Sequence, residues 1–317
     1  MRSALIIGAA GQDGRLLAES LAARGYAVRG WIRCEPSPSL SCDSVIIDIL
    51  QAGVVERELR ASVPDEIYYL AAFHHSTESL SGDNTTELLR RSFDVHVHGL
   101  LNVLQAVRTA CQKTRLFYAA SSHVFGASPA DCQDEHTPLR PDSPYAISKA
   151  AGLRCCQLVR EEEGIFAATG ILFNHESSWR KPSFVSQKIV RGAVQARHDS
   201  QFRLRLGDLD ACVDWGYAPD YVEAMFRILQ LPAASDFVVA SGELHTVREF
   251  VDLAFGELGL DWREHVESDT NVLKRHSYPL RGDPQRLRAA TGWSPTVTFP
   301  ELVTKLVNEA EQRYEPA

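Results

Sequence analysis

Ala4-Leu5-Ile6-Ile7 runs directly into Gly8-Ala9-Ala10-Gly11-Gln12-Asp13-Gly14, and this stretch decides the fold. A short apolar run that meets glycines spaced GxxGxxG reads as a buried strand, a tight turn and the start of a helix. The turn leaves bare backbone against which a pyrophosphate can rest. The helix N-terminus then supplies oriented N–H groups. Gly8, Gly11, Gln12, Asp13 and Gly14 are therefore candidate cofactor contacts.

The pattern repeats outward from this turn. Ala4–Ile7, Ala27–Ile32, Val45–Asp48, Ile67–Ala71, Leu116–Ala120 and Ala167–Phe173 read as buried strands. Asp13–Arg24, Val54–Ser62, Thr86–Cys111 and Tyr145–Glu163 between them carry helical periodicity. Such alternation builds a doubly wound parallel sheet of the Rossmann type, an α/β fold with helices on both faces. After Phe173 the pattern changes. Asn174–Ser183 reads as a polar loop, Phe184–Arg197 as a helix and Phe202–Leu206 as a short strand. Pro219–Leu231 and Thr246–Leu258 read as helices around a strand at Phe237–Ala240, and Thr291–Pro295 breaks the tail. The expected division is a nucleotide-binding domain over 1–173, continued by about 208–245. A smaller substrate lobe takes 174–207 and 246–317, with the active site between the two.

Composition narrows the function. The chain has 317 residues, 44% hydrophobic and 23% charged, with a net charge of -8. An acidic balance of this kind argues against nucleic acid as the main partner. The early apolar run is too short for a signal peptide or a membrane span. Seven cysteines lie scattered without CxxC spacing, so neither a zinc site nor a disulfide framework follows. A cytoplasmic enzyme is the expectation. His74-His75 and His96-Val97-His98 raise the question of a metal, but no carboxylate or cysteine completes an obvious ligand set, and none is expected.

The second strand ends on Arg33, where an acidic residue would hold the ribose 2′-hydroxyl of NAD. A guanidinium suits a 2′-phosphate, which favours NADP over NAD. Asp48, closing the third strand, is placed to bond the adenine amine. Tyr145-Ala146-Ile147-Ser148-Lys149 sets a phenol and an ammonium one helical turn apart. A tyrosine starts near pKa 10, and activity near neutrality asks for a fall of about three, worth roughly 4 kcal/mol. The neighbouring cation is the natural source of that fall. Ser121, just past the fifth strand, is placed to hold the reacting oxygen in the same hydrogen-bond set.

At this point the residues resemble a family, the GDP-mannose 4,6-dehydratases among the extended short-chain dehydrogenases/reductases. The resemblance is carried by GAAGQDG (Gly8–Gly14), PDEIYYLAA (Pro64–Ala72), AASSHVFG (Ala119–Gly126) and SPYAISK (Ser143–Lys149). ILFNHES (Ile171–Ser177), FVSQKI (Phe184–Ile189) and LGDLDACVDWGYAPDYVEAM (Leu206–Met225) extend it over nearly the whole chain. It implies oxidation at C4 of a GDP-sugar, elimination of water, and return of the hydride to C6. Ser121, Tyr145 and Lys149 fall on its catalytic positions. Cofactor contacts are also implied at Ile49, Leu70, Ala71, Ala72, Leu172, Asn174 and His175. Asn174, Glu176, Arg180 and Lys188 fall in the loop and helix that hold the GDP-sugar. His75, Ser122 and Arg281 join them as substrate contacts. Phe184 and Val185 either flank a nucleobase or pack in the core.

The sequence departs from that family in four places. His123 stands where the family has the glutamate that does the proton work; an imidazole can serve as general acid and base near neutrality. Val213 and Trp179 each replace an arginine. The Arg33–Asp48 segment is much shorter than the family's tetramer-forming one, which points to a homodimer through the helices at about 86–111 and 145–163. The tail RGDPQRLRAATGW (Arg281–Trp293) resembles GDP-4-keto-6-deoxymannose reductases instead. Reduction or epimerisation of a GDP-4-keto-6-deoxy sugar is therefore the alternative reading, and a catalytically weakened NADP-binding protein is a second one.

Overall fold

The structure, a computed structural model, describes residues 1–35, 40–74, 84–269 and 278–314. Its nucleotide-binding part runs β1 (Ser3–Ile7), α1 (Gln12–Ala23), β2 (Ala27–Ile32), β3 (Asp43–Ile46), α2 (Ala52–Ser62) and β4 (Glu66–Tyr69). It continues through α3 (Thr85–Phe93), α4 (Gly99–Ala110), β5 (Arg115–Ser121), α5 (Pro144–Glu163) and β6 (Ala167–Leu172). The remainder comprises β7 (Asn174–Glu176), α6 (Val185–His198), β8 (Leu204–Leu206), β9 (Cys212–Val213), β10 (Trp215–Tyr217) and α7 (Ala218–Gln230). Then follow β11 (Asp236–Val239), β12 (His245–Thr246), α8 (Val247–Glu257), β13 (Val266–Ser268), α9 (Gln285–Thr291) and α10 (Phe299–Gln312).

Seven strands form one sheet in the order β11-β6-β5-β4-β1-β2-β3. Every pairing in it is parallel. Alternate residues of each strand feed opposite faces, as a sheet buried on both sides requires. Leu5, Ile7, Ile67, Tyr69, Leu116 and Tyr118 pack with α2, α4 and α5. Ala4, Ile6, Tyr68, Phe117 and Ala119 pack with α1 and α7. A third core joins α6, α8 and α10 around Trp215, Phe250 and Phe299.

Three local expectations are corrected. The third strand ends at Ile46 rather than Asp48, because the Asp48 carboxylate accepts from Leu50 N at 3.0 Å and turns the chain into α2. The stretch expected as one helix over 86–111 is broken by a π-helical turn at Asp94–His98. The extra residue of that turn carries His96 inward to bond two other segments, described below, and such turns often mark functional sites. Third, Asn174–Glu176 is a strand, not loop. It pairs with Trp215–Tyr217, a partner too distant in sequence for any local pattern to announce.

Candidate active site

The glycine turn leaves no room for side chains. A β-carbon on Gly8, whose φ is +97°, would lie 2.7 Å from Ala71 N, and one on Gly14 would lie 2.5 Å from the Gly8 carbonyl oxygen. β1, α1 and the end of β4 thus meet at backbone distance, beside Leu70, Ala71 and Ala72. Gly11 caps α1 without any side-chain hydrogen bond, so the first N–H groups of that helix have no side-chain acceptor at the cap. The cradle fits a dinucleotide pyrophosphate. Arg33 is exposed immediately after β2. Asp48 is exposed and its carboxylate also serves the turn before α2, through Leu50 N and Gln51 Nε2. Ile49 is half-buried, and its carbonyl accepts from Asn102.

Gln12 and Asp13 turn toward the end of β6 and the strand that follows it. Gln12 Nε2 donates to the His175 carbonyl at 3.1 Å, and the Ser177 hydroxyl donates to Gln12 Oε1 at 3.0 Å. His175 bridges the Phe173 carbonyl, 2.7 Å from Nδ1, and the Asp13 carboxylate, 3.0 Å from Nε2. Its ring stacks on Tyr221. Burial works against a charge on Asp13, but the His175 imidazole opposite, the Gln12 amide and the Arg180 charge together hold the carboxyl below its ordinary range. The glycine loop is therefore tied directly to the segment Asn174–Arg180.

Tyr145 and Lys149 occupy the first turns of α5, whose N-cap Ser143 accepts from Ala146 N and whose first position is proline. Ser121 ends β5, where its hydroxyl oxygen accepts from His123 N at 3.4 Å and its side chain acts to lower the Tyr145 phenol. Lys149 is 2% exposed and donates to the Ala119 carbonyl at 2.6 Å. Burial pushes its ammonium down to about 7. Tyr145 moves the other way from the expectation. Burial raises the phenol above its ordinary value, opposed by the Ser121 hydroxyl and the Arg180 charge. Arg180 is thus a cation that bears on the phenol, while the Lys149 ammonium gives one N–H to the Ala119 carbonyl and lies 5.8 Å from the centroid of the Tyr145 ring.

Three imidazoles surround the Tyr145 ring edge-on: His74 at 5.4 Å, His96 at 5.2 Å and His123 at 6.0 Å between centroids. His123 is exposed in the 3₁₀ turn after β5. His96 is fully buried. Its Nε2 accepts from Phe73 N at 3.0 Å, which leaves Nδ1 to donate to the Ser148 hydroxyl at 2.7 Å, and Ser148 donates in turn to the Tyr145 carbonyl. Burial holds His96 well below its ordinary pKa, as that neutral tautomer requires. Sequence reasoning weighed this histidine as a metal ligand; its position on the buried side of a helical pattern was the usable signal.

The remaining candidates divide. Arg180 stacks on the Phe184 ring at 3.7 Å, beside Val185 and the half-buried Lys188, whose ammonium burial lowers. Glu176 points inward instead of into the cleft: 2% exposed, it accepts from Ser186 Oγ at 2.6 Å and pairs with Arg180 at 3.4 Å. Ser122 is 3% exposed. Leu172 ends β6, in register with Ser121, and Asn174 opens β7. Trp179 makes cation–π contacts with Arg15 and Arg313. Arg281 lines a cavity of about 550 Å³ with residues 127–131. His75 lies outside the described residues.

Residues 5–306 match the GDP-mannose 4,6 dehydratase family. GDP-mannose 4,6 dehydratase 2 of Arabidopsis thaliana is 38% identical over 96% of this chain and 86% of its own. Human GDP-mannose 4,6 dehydratase is 33% identical over 96% of this chain and 90% of its own. The solved structure of RMD from Pseudomonas aeruginosa complexed with NADPH superposes with a TM-score of 0.83 at 25% identity, covering 99% of this chain and all of that one. The chain belongs to the GDP-mannose 4,6 dehydratase family and is an enzyme of that class.

The desolvated lysine has a measurable consequence. Its folded-state value of about 7 lies below the unfolded 10.5, so burying the charged form costs stability on the order of a few kcal/mol. That cost is full below about pH 7 and shrinks as pH rises toward the unfolded value. In cofactor-free protein, Lys149→Met should therefore raise the melting temperature at pH 6, with a smaller gain at pH 9. A variant that melts below wild type at pH 6 contradicts the desolvation argument.

Proposed function

We propose that this family member is an NADP-dependent GDP-mannose 4,6-dehydratase in which His123 performs the proton transfers. The observation that carries the reading is the grouping of the Tyr145 phenol with the Ser121 hydroxyl, Lys149 and Arg180, with an imidazole at the ring edge. The glycine cradle would hold the pyrophosphate, and Arg33 the 2′-phosphate. When bound, the nicotinamide cofactor supplies a reversible two-electron acceptor.

Tyr145, as phenolate, accepts the proton of the C4 hydroxyl while Ser121 holds the same oxygen. Two residues lower the cost of that phenolate: Ser121 by donating to it, and Arg180 by its charge. Loss of hydrogen from C4 leaves a ketone, which acidifies the C5 hydrogen. His123 removes the C5 proton and gives it to the departing C6 hydroxyl, so water leaves and a C5–C6 double bond forms. Return of hydrogen to C6 and of a proton to C5 completes a 4-keto-6-deoxy sugar. General acid–base help of this kind contributes about 10²–10⁴ in rate. Asn174, Arg180, Lys188 and Arg281 would bind the GDP-sugar, and the protein would work in the cytoplasm.

Two helices support a homodimer. Leu101 of α4 and Ile147 and Leu158 of α5 are exposed apolar side chains, 42%, 37% and 56% accessible. A second copy applied there would cover them. Sedimentation equilibrium should give twice the chain mass of 35.2 kDa at micromolar concentration. A monomer there would overturn the assignment.

Incubation of the protein with GDP-mannose and NADP⁺ should yield a product lighter by one water, with slower turnover when NADP⁺ is replaced by NAD⁺. Tyr145→Phe should cut that turnover by orders of magnitude and leave NADPH affinity nearly unchanged. Unconsumed GDP-mannose, together with NADPH oxidation on addition of a GDP-4-keto-6-deoxy sugar, would assign the reductase reading instead.

A further inference from the structure

A buried carboxylate far along the chain from Tyr145 organises the wall on which Arg281 sits. Asp214, between β9 and β10, has no exposed surface. Its Oδ1 accepts from Ser241 N at 2.9 Å and from the Ser241 hydroxyl at 2.6 Å. Its Oδ2 accepts from Gly242 N and from Gly282 N, each at 3.1 Å. Four donors on one side chain use its full acceptor capacity. Three of the donors belong to the turn after β11, and the fourth belongs to the residue following Arg281.

The other edge of the Arg281 segment is fixed as tightly. Gln133 N donates to the Arg281 carbonyl at 2.7 Å, and Asp283 N donates to the Gln133 carbonyl at 2.9 Å. Gln133 is itself fully buried, and its side chain holds the Ala130 carbonyl at 2.7 Å. Gly282 has no space for a β-carbon, which would meet Ala240 at 2.3 Å and the Phe173 ring at 2.8 Å. The segment therefore has one register, set by Asp214 on one side and Gln133 on the other. These ties frame the 550 Å³ cavity, lined by residues 127–131, Leu244, Tyr278, Pro279 and Arg281. Among the described residues of that lining, Arg281 is the single cation and Asp131 the single carboxylate. Val213 adds no charge beside Asp214.

We propose that Asp214 is a positioning residue for substrate binding: by fixing Gly282 and the turn at Ser241–Gly242, it holds the Arg281 guanidinium at the cavity for the diphosphate of the nucleotide. The proposal rests on the reading of the substrate as a nucleoside-diphosphate sugar. It locates the diphosphate contact in a pre-ordered loop instead of a long flexible side chain on β9. A pre-ordered guanidinium binds more tightly because less freedom is lost on association.

The test uses the full chain with GDP as probe, by calorimetry, alongside steady-state kinetics and NADPH affinity. Asp214→Asn replaces one acceptor by an N–H facing donors. It should weaken GDP and raise KM for GDP-mannose by roughly tenfold, with kcat within about twofold and NADPH affinity unchanged. Arg281→Met should weaken GDP by about 10- to 100-fold. The double variant should bind GDP no more weakly than Arg281→Met alone, since Asp214 acts through that guanidinium. Should Asp214→Asn not fold, Ser241→Ala removes one donor and should raise KM by about two- to threefold. Additive losses in the double variant, or a fall in kcat at unchanged KM, would overturn the positioning role alone. Wild-type protein that binds no GDP would overturn the nucleotide reading with it.

Discussion

Everything in this structure depends on backbone meeting backbone at Gly8 and Gly14. The carbonyl of Gly8 lies where any β-carbon on Gly14 would have to go, and Ala71 N lies where one on Gly8 would go. That contact sets the angle at which α1 leaves β1 and brings the end of β4 against the turn. A methyl group at either place would drive the three elements apart. The space so protected is a ledge of N–H groups at the C-terminal edge of a parallel sheet, which is where α/β folds collect their ligands.

From that ledge, polar contacts reach the substrate side without passing through the core. Gln12 and Asp13 belong to the glycine loop, yet their partners are His175 and Ser177. The strand that carries His175 is held by β10, and β10 adjoins Asp214 and the wall bearing Arg281. A second chain of contacts runs from Phe73 through His96 and Ser148 to the backbone of Tyr145. The reacting phenol, the nucleotide ledge and the distal cation thus lie on elements tied by hydrogen bonds between buried and half-buried groups, which is what a site needs to hold its geometry.

Much of this was legible in the sequence because it is local. Alternating runs such as Ala4–Ile7 and Leu116–Ala120 announce buried parallel strands, and the YxxxK spacing puts Tyr145 and Lys149 on one helix face. What the sequence concealed is non-local. The strand Asn174–Glu176 exists only through its pairing with Trp215–Tyr217. The turn of His96 into the interior follows from a π-helical residue that no periodicity predicts. The direction in which Tyr145 moves could not be read from a neighbouring lysine, because desolvation acts on both groups and depends on what covers them. Glu176 reads as a substrate contact by its motif; that one carboxylate oxygen also meets Ser186 and Arg180 is visible only in the structure.

The distinctive chemical claim is that an imidazole, His123, does proton work at the edge of the Tyr145 ring. The most direct measurement is deuterium incorporation at C5 during turnover of GDP-mannose in D₂O, followed by NMR for wild type and His123→Ala. The account predicts deuterium at C5 in the wild-type product. In the variant it predicts no exchange at C5 while oxidation at C4, read as nicotinamide reduction, survives. Continued exchange at C5 in His123→Ala would contradict it.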